Sequence, residues 1–321
     1  MEEIMNAMSN LRDAVYGIVG LGIMGGSVAK AIRSNVLDMP SAAGKIFACD
    51  ALGATLDAAV RDGVIDKGFA PGEAGAMLSE CDIVYICLYP HATLEFIKAH
   101  RNDFKSASIV TDISGVKTFL ADGLAKFSRD DVDFIFGHPM AGGEKEGYVN
   151  SNGAYFKGRN YILMLQPSNK AENVALIKNL IAAMGFARIV ETDCKTHDRK
   201  IAFTSQLCHV IASALVKSAE DESVTEFGGG SFEDLTRIAM INAPLWTELF
   251  LANKDELLSH IDSFEKQLAL IKKSVAENDA ASLEAYLADV RTRRMNMGTF
   301  VVKTSKRSYV SVRIDEEKTV H

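Results

Sequence analysis

One short apolar run, followed at once by closely spaced glycines, restricts the fold of this chain more than any other feature. Ala14 to Val19 has strand character, and Gly20, Gly22 and Gly25 form the pattern GxGxxG ahead of a helical stretch that reaches about Asn35. The first glycine allows a tight turn, the second lets the backbone approach a pyrophosphate, and the third lets the helix pack against the strand. The N-terminus of the helix favours phosphate groups. The stretch therefore predicts the opening unit of a dinucleotide-binding domain.

The next predicted strand, Lys45 to Cys49, is followed by an acidic residue, Asp50. A carboxylate at this position can accept hydrogen bonds from the hydroxyls of an adenosine ribose. The residues after it, Ala51 to Gly53, include no arginine that would neutralise a 2′-phosphate. We therefore expect NAD as the cofactor in preference to NADP. The alternative is a glycine-rich turn and a surface aspartate that bind no ligand.

Strands and helices alternate through the first half of the chain. Further strand signals recur at 83–88, 108–111, 134–136, 161–165 and 187–190, with helical segments between most of them. Strands separated in this way pair in parallel through right-handed crossovers. From Thr192 onward strand signals vanish until a tail from Thr304, which has some strand character and is too short for a regulatory domain. The sequence predicts an α/β fold, with a doubly wound Rossmann-type parallel sheet domain at 1–191 and an all-helical domain at 192–321.

The overall charge and the cysteine pattern argue against several classes of protein. The formal net charge is -7, which disfavours nucleic acid or an acidic membrane surface as a partner. The 5 cysteines are scattered without CxxC spacing, so we expect neither a metal site nor a disulfide framework. The N-terminal stretch is short and acidic, unlike a signal peptide, and no apolar run approaches the roughly 20 residues that span a bilayer. A cytoplasmic location is the expectation.

The apolar letters FIF at 134–136 lead directly into GHP and a glycine-rich loop. Ligands of an open α/β sheet bind beyond the carboxyl ends of its strands, so His138 is expected where a substrate would lie. A histidine that only caps a turn is the alternative. Asp112 also ends a strand, and Ser114 and Lys117 follow it before a helix. An N-cap role and a catalytic role both fit Ser114.

A long helix is predicted after Thr192 or Asp193, either of which can cap it. At 100° per residue, Asp198, Ser205 and His209 fall on one face of that helix and form a polar stripe. Because Asp198 and His209 are about 16 Å apart along the axis, they would line different depths of one cleft.

Arg237 lies in a predicted helix that begins after three glycines, and Trp246 follows nine residues later. The arginine can pair with an acid at a helix interface, or its planar guanidinium can bind the carboxylate of a substrate. The pattern around this residue leaves both alternatives open.

Two later helices carry regular apolar seams. Hydrophobic residues alternate at spacings of four and three residues, at 257, 261, 264, 268, 271 and 275, and the spacing recurs at 283, 287 and 290. Such spacing is typical of helices that pack against other helices. We expect this packing within the subunit or across a homodimer, and the homodimer is the favoured alternative.

Five motifs together resemble those of the prephenate/arogenate dehydrogenase family. They are GLGIMGGS, TDISGVK, GHPMAGGEKEG, THDRKIA leading to His209, and FEDLTRIA followed by Trp246. The likeness runs from about Val15 to Arg294. The first motif is also similar to that of the β-hydroxyacid dehydrogenases, whose later signatures match less well.

The resemblance implies a reaction as well as a fold. It implies NAD-dependent oxidative decarboxylation of prephenate to 4-hydroxyphenylpyruvate, or of arogenate to tyrosine, in tyrosine biosynthesis. His138 would take a proton from the ring C4 hydroxyl as hydride leaves C4 for the nicotinamide. A non-catalytic NAD-binding protein is the alternative from another class, and the retained His138 argues against it.

The resemblance also implies a set of substrate-binding residues. Arg237 would bind a carboxylate of the substrate, and His209 would contact its side chain. Glu144 and Asp198 would form an ionic network with Arg237 at the mouth of the cleft, and Trp246 belongs to the same set.

The chain departs from the family pattern at three places, the first of which spans two residues. The family commonly has glycine then serine before VK, with that serine touching the substrate hydroxyl, whereas this chain has Ser114 then Gly115. Gln206 stands where a histidine is often found, and Cys208 replaces a common proline. Ser114 is retained as the catalytic candidate at the first of these positions.

Overall fold

The computed structural model describes residues 9–126, 129–143, 145–297 and 310–313. Six of its strands are β1 (Val15–Val19), β2 (Lys45–Cys49), β3 (Lys67–Phe69), β4 (Ile83–Ile86), β5 (Ile109–Asp112) and β6 (Asp133–Phe134). They form one sheet in the order β3-β2-β1-β4-β5-β6, and every pair is parallel. The predicted doubly wound sheet is confirmed. Its strand order reverses beside β1, which is where ligands bind in folds of this kind.

Helices cover both faces of this sheet. They are α1 (Ile23–Ile32), α2 (Gly53–Arg61), α3 (Ala74–Leu78), α4 (Pro90–Ala99) and α5 (Thr118–Leu124). Tyr16 and Ile18 belong to a buried cluster on one face, whereas Phe47 and Val84 belong to a second cluster on the other. Because both faces are buried, the strands are continuous apolar runs in the sequence.

A second sheet follows, where the sequence predicts a continuation of the first. Its strands are β7 (Phe136–Pro139), β8 (Asn160–Met164), β9 (Arg188–Thr192) and β10 (Val310–Arg313), in the order β10-β9-β8-β7. The chain changes sheets at Ile135, between β6 and β7, and β7 pairs antiparallel with β8. A parallel return needs a long crossover, usually a helix, and the described residues between β7 and β8 form two short 3-10 turns and no α-helix. The tail supplies β10, which pairs parallel with β9.

His138 is part of strand β7, whereas the sequence predicts that the strand ends before it. His138 pairs with Ile162 of β8, and Pro139 with Tyr161. The antiparallel partner extends the ladder beyond the apolar letters, and this tertiary contact leaves no mark in the local sequence. The histidine is therefore held by a sheet.

The second half of the chain is helical. Its α-helices are α6 (Ala171–Ala183), which connects β8 to β9, and then α7 (Cys194–Ile201), α8 (Leu207–Lys217), α9 (Gly230–Thr236), α10 (Ala243–Ala252), α11 (Lys254–Ala276) and α12 (Ala280–Asn296). The predicted cap of α7 is Asp193, whose carboxylate accepts the Thr196 N–H at 2.8 Å. A π-helical turn, Ala202–Gln206, joins α7 to α8.

The predicted apolar seam lies on α11 and α12 and is largely uncovered in the single chain. Leu268 is 53% exposed and Leu287 is 54% exposed, although Leu257 at the start of α11 is buried. An apolar face of this kind commonly marks an interface between proteins. Among the described residues, no helix is both long and apolar enough to cross a membrane.

Candidate active site

The glycine-rich loop between β1 and α1 has the geometry of a dinucleotide site. Gly20 has a φ of +87°, a conformation that glycine adopts readily. A Cβ on Gly25 would overlap the carbonyl oxygen of Gly20, so α1 and β1 approach closely. A Cβ on Gly22 would meet nothing within 4 Å, and no side chain caps the first turn of α1. The loop thus leaves open space and helix N–H groups where a pyrophosphate is expected.

Asp50 is fixed beside this loop by two backbone donors. Its carboxylate accepts the N–H of Leu21 at 2.7 Å and the N–H of Leu52 at 2.8 Å. The side chain is partly exposed at the end of β2, and each carboxylate oxygen keeps a second lone pair for another donor. The loop and Asp50 together fit the pyrophosphate and a ribose of NAD.

Three side chains form a hydrogen-bonded row that we call the His–His–Asp row, consisting of His138, His197 and Asp198. Nδ1 of His138 lies 2.9 Å from Nε2 of His197, and Nδ1 of His197 lies 2.7 Å from Oδ1 of Asp198. His197 and Asp198 are each 2% exposed, whereas His138 is partly exposed. The row therefore reaches the solvent at His138. Burial, followed by the effects of His197 and Lys117, holds the pKa of His138 well below its ordinary value.

The position of Asp198 differs from the expected one at the cleft mouth beside Arg237. Its carboxylate accepts the backbone N–H groups of Lys117 at 2.9 Å and Thr118 at 2.7 Å, in addition to bonding His197. Asp198 thus lies behind His197, against the start of α5. A constant helical periodicity predicts Asp198 and His209 on one face of a single helix. The π-helical turn between these two residues adds a residue to one helical turn, and this breaks the periodicity.

A buried ion pair supports the strand that carries His138. Nζ of Lys117 donates to Oδ2 of Asp112 at 2.5 Å and to the carbonyl oxygen of Gly137 at 2.7 Å. The two side chains are 0% and 3% exposed. Burial lowers the pKa of Lys117, and Asp112 opposes that shift. The sequence showed Lys117 on the loop but gave no signal of its contact with Gly137.

Ser114 does not cap a helix, because α5 begins at Thr118 with Lys117 at the N-cap position. Its N–H donates to Asp112 at 2.8 Å, and its hydroxyl is buried without a hydrogen-bond partner among the described residues. The neighbouring Gly115 lies near His138, since a Cβ built there would be 4.0 Å from Cε1 of that ring. A catalytic role for Ser114 stays a prediction.

His209 and Trp246 form a stacked pair between α8 and α10. Their ring centroids are 3.5 Å apart with an interplanar angle of 28°. His209 also bonds the carbonyl oxygen of Ser205 through Nδ1 at 2.9 Å. Arg237 is exposed in a 3-10 turn, Arg237–Ala239, that packs against α8. Glu144, the remaining member of the expected set, lies outside the described residues.

Polar contacts hold α10 against the first sheet. Nδ2 of Asn242 donates to the Tyr89 hydroxyl at 2.9 Å and also to a carboxylate oxygen of Glu146. Oε2 of Glu248 accepts the backbone N–H of His91 at 3.1 Å and lies 3.1 Å from Nδ1 of that residue. Tyr89 and His91 lie where β4 passes into α4, at the carboxyl edge of the sheet. These contacts bring the helix of Trp246 to the edge where a dinucleotide would lie.

A second buried network joins the helices behind the site, and sequence reasoning missed it. Gln206 donates to the carbonyl oxygen of Leu249 at 3.0 Å and accepts from Asn253 at 2.9 Å. Asn253 also donates to the main-chain carbonyl of Asp198 at 2.9 Å. The departure from the family histidine at position 206 was visible in the sequence, but its partners were not.

Comparison with known proteins identifies the family. Residues 28–191 match the model of the prephenate dehydrogenase nucleotide-binding domain, and residues 193–289 match the model of the prephenate dehydrogenase dimerization domain. The chain belongs to the prephenate dehydrogenase family. The family resemblance carried by the five sequence motifs is therefore confirmed.

Individual members of the prephenate dehydrogenase family agree over most of this chain. It is 28% identical over 294 residues to the prephenate dehydrogenase of Bacillus subtilis, which covers 89% of this chain and 76% of the relative. It is 26% identical over 291 residues to the cyclohexadienyl dehydrogenase of Zymomonas mobilis, and the match covers 88% of this chain and 95% of the relative. The prephenate dehydrogenase of Aquifex aeolicus, solved with hydroxyphenyl propionate and NAD+, matches with a TM-score of 0.79 and 28% identity over 89% of this chain and 98% of that one.

Proposed function

We propose that this protein is an NAD-dependent prephenate dehydrogenase, which oxidises and decarboxylates prephenate to 4-hydroxyphenylpyruvate in tyrosine biosynthesis. The observation that carries the proposal is the partly exposed His138, backed by buried His197, in a member of this family with an intact dinucleotide loop. The related Aquifex aeolicus enzyme was solved with NAD+ and hydroxyphenyl propionate. That compound is a phenol with a three-carbon acid chain, as the proposed product is.

The protein would bind NAD through the loop of Gly20, Gly22 and Gly25, with Asp50 accepting hydrogen bonds from a ribose. When bound, NAD accepts the hydride that leaves C4 of the substrate ring. The contribution of the chain is to orient C4 and its hydroxyl and to remove the hydroxyl proton. Loss of the ring carboxylate as CO2 then makes the product aromatic, which drives the reaction forward.

His138 would accept the proton of the C4 hydroxyl. An imidazole must be neutral to act as a base, and the lowered pKa of His138 keeps it neutral at ordinary pH. Lys117 fixes the backbone on one side of it through the Gly137 carbonyl. Ser114 remains a proposed catalytic residue on the adjoining loop.

Arg237 would bind a carboxylate of prephenate, and His209, Trp246 and Glu144 would complete the substrate-binding set. A protein with a net charge of -7 needs a local cation to hold a dianionic substrate. The turn of Arg237 packs against the helix of His209, and His209 stacks on Trp246, which supports one shared subsite. Asp198 is proposed to act through His197 and not through Arg237.

We further propose a homodimer formed through α11 and α12. Their exposed apolar seam and the match to a dimerization domain support this assembly. The domain division at 1–191 and 192–321 is kept as a proposal, with β10 of the tail returning to the N-terminal half. A cytoplasmic location and the absence of nucleic-acid binding stay predictions.

A matrix of two substrates and two cofactors tests the proposed function. Purified protein is mixed with prephenate or arogenate and with NAD or NADP, and reduced cofactor is followed at about 340 nm, the nicotinamide absorbance band. The proposal expects the highest kcat/KM with prephenate and NAD. Preference for arogenate would replace the substrate assignment, and no reduced cofactor in any combination would reject the function.

A further inference from the structure

We propose that His197 and Asp198 are positioning residues that hold His138 in a single tautomer, with the proton on Nδ1 and Nε2 kept free to receive the substrate proton. The inference rests on the proposed function for its consequence in catalysis. The tautomer itself is a property of the resting protein and can be tested without turnover.

The carboxylate of Asp198 accepts hydrogen bonds from the groups around it. Two of its partners are backbone N–H groups, from Lys117 and Thr118, and a backbone N–H can only donate. Burial alone raises the pKa of Asp198, but hydrogen bonds from His197 and Thr118 outweigh it and lower the pKa below its ordinary value. The carboxylate is therefore ionised and has no proton of its own to donate.

His197 carries a single ring proton when it is neutral, and its contact with Asp198 decides which nitrogen holds that proton. Nδ1 of His197 must carry its proton to bond the carboxylate, 2.7 Å away. Burial lowers the pKa of His197, although Asp198 opposes the shift, so the ring is neutral and its Nε2 is an acceptor. That acceptor faces Nδ1 of His138 at 2.9 Å, and Nδ1 must therefore carry the proton of His138. Nε2 of His138 is left unprotonated.

The net charge around His138 and His197 favours proton uptake by His138. The charged groups that face the two imidazoles among the described residues are Asp112, Lys117 and Asp198. Cys194 is also nearby, and burial raises the pKa of its thiol to about 12, so it is neutral. Two carboxylates and one ammonium leave one negative charge while both imidazoles are neutral. Uptake of the substrate proton by His138 brings the cluster to neutrality, which favours the imidazolium formed during the reaction.

A purely structural role makes a different prediction. Asp198 also braces α7 against the start of α5, and a brace would affect stability without setting a tautomer. The chain offers a control in His100, whose Nδ1 also lies 2.7 Å from a carboxylate, that of Asp103, on the protein surface. His100 has no contact with the His–His–Asp row, so His100→Leu should leave activity unchanged.

The first readout is the tautomer. Protein labelled with 15N at its 7 histidines is studied by NMR without substrate, and His138→Asn identifies the resonances of His138. The inference expects a protonated Nδ1 and an unprotonated Nε2 in the wild type and in His100→Leu. In His197→Leu, which removes the acceptor, the Nε2-protonated form should appear. A wild-type His138 with its proton on Nε2 would overturn the inference, whether or not the protein oxidises prephenate.

The second readout is kinetic. With prephenate and NAD, His197→Leu should lower kcat by about 10- to 100-fold, as loss of an orienting partner commonly does, with a change in KM of about twofold or less. His197→Gln should recover about tenfold of that loss. The amide oxygen of the glutamine can accept a hydrogen bond from Nδ1–H of His138, as Nε2 of His197 does in the wild type. Equal kcat in His197→Leu and wild type, or no recovery in His197→Gln at matched thermal stability, would contradict the positioning role. Failure of wild-type turnover would reject the proposed function and leave the NMR test in force.

Discussion

Nζ of Lys117 lies 2.7 Å from the carbonyl oxygen of Gly137, the residue before His138. The same ammonium neutralises the buried Asp112. One side chain thus joins the end of β5 in the first sheet to β7 in the second, at the edge where the substrate is proposed to bind. The contact therefore helps to hold the backbone next to His138.

Replacing Lys117 with Met should destabilise the protein strongly. Removal of one partner leaves Asp112 as an uncompensated buried charge, which costs about 3–5 kcal/mol. The free energy of unfolding is measured by urea denaturation. Lys105→Met is the matched control, because Lys105 pairs with Asp82 at 2.6 Å on the surface and should cost about 1 kcal/mol or less. Equal losses in the two variants would contradict the assigned role of Lys117.

Stability should fall on mild acidification because of the two lowered histidine pKa values. The pKa values of His138 and His197 are lower in the folded protein than the value of about 6.5 expected after unfolding. The unfolded chain therefore binds more protons below that pH, and the free energy of unfolding falls by up to about 1.4 kcal/mol per pH unit for each histidine. Urea denaturation at several pH values should give a shallower slope for a His138→Asn, His197→Gln double variant. An unchanged slope would count against buried, neutral imidazoles.

Gly22→Ala should weaken NAD binding without destabilising the fold. The added methyl group meets no protein atom within 4 Å but enters the space expected for the pyrophosphate. Gly72→Ala is the control, since a Cβ there also meets nothing within 4 Å, and this glycine lies outside the binding loop. Calorimetric titration with NAD and thermal unfolding are compared for both variants. NAD affinity of Gly22→Ala equal to that of the control would remove the loop from the binding site.

Charges introduced into the apolar seam should dissociate the proposed dimer. Leu268→Glu and Leu287→Glu each bury an unpaired carboxylate if the exposed seam is the interface. Light scattering coupled to size-exclusion chromatography measures the mass. Val60→Glu, on an exposed position of α2, is the control and should keep the wild-type mass. A monomeric wild type would exclude the dimer. Dimers in all three variants would place its interface outside the seam.

The nucleotide-binding half was predictable because its chemistry requires particular residues at particular spacings. Gly20, Gly22, Gly25 and Asp50 follow from backbone geometry near a pyrophosphate and a ribose, and local sequence records that requirement. The break between the two sheets was not predictable, because Ile135 lies within a continuous apolar run. Such a run is equally compatible with one strand or with two consecutive strands. Only the antiparallel partner β8 distinguishes them.

The candidate site was predictable in part for a similar reason. His138 stood out because it comes at the carboxyl end of an apolar run, where ligands of an open α/β sheet bind. The contacts of Asp198 with the start of α5 were not predictable, because helical periodicity gives a face and not the element that packs against it. The hydrogen bond between His138 and His197 joins residues 59 positions apart. No local pattern encodes such a contact, because it depends on how α7 lies against β7.

The most direct test of the account is the turnover number of wild type and His138→Asn with prephenate and NAD. The wild type should form NADH and 4-hydroxyphenylpyruvate in equal amounts. His138→Asn should lose about 100- to 10,000-fold in kcat, because it removes the general base, while NAD affinity is unchanged. Turnover of His138→Asn equal to that of the wild type would contradict the account.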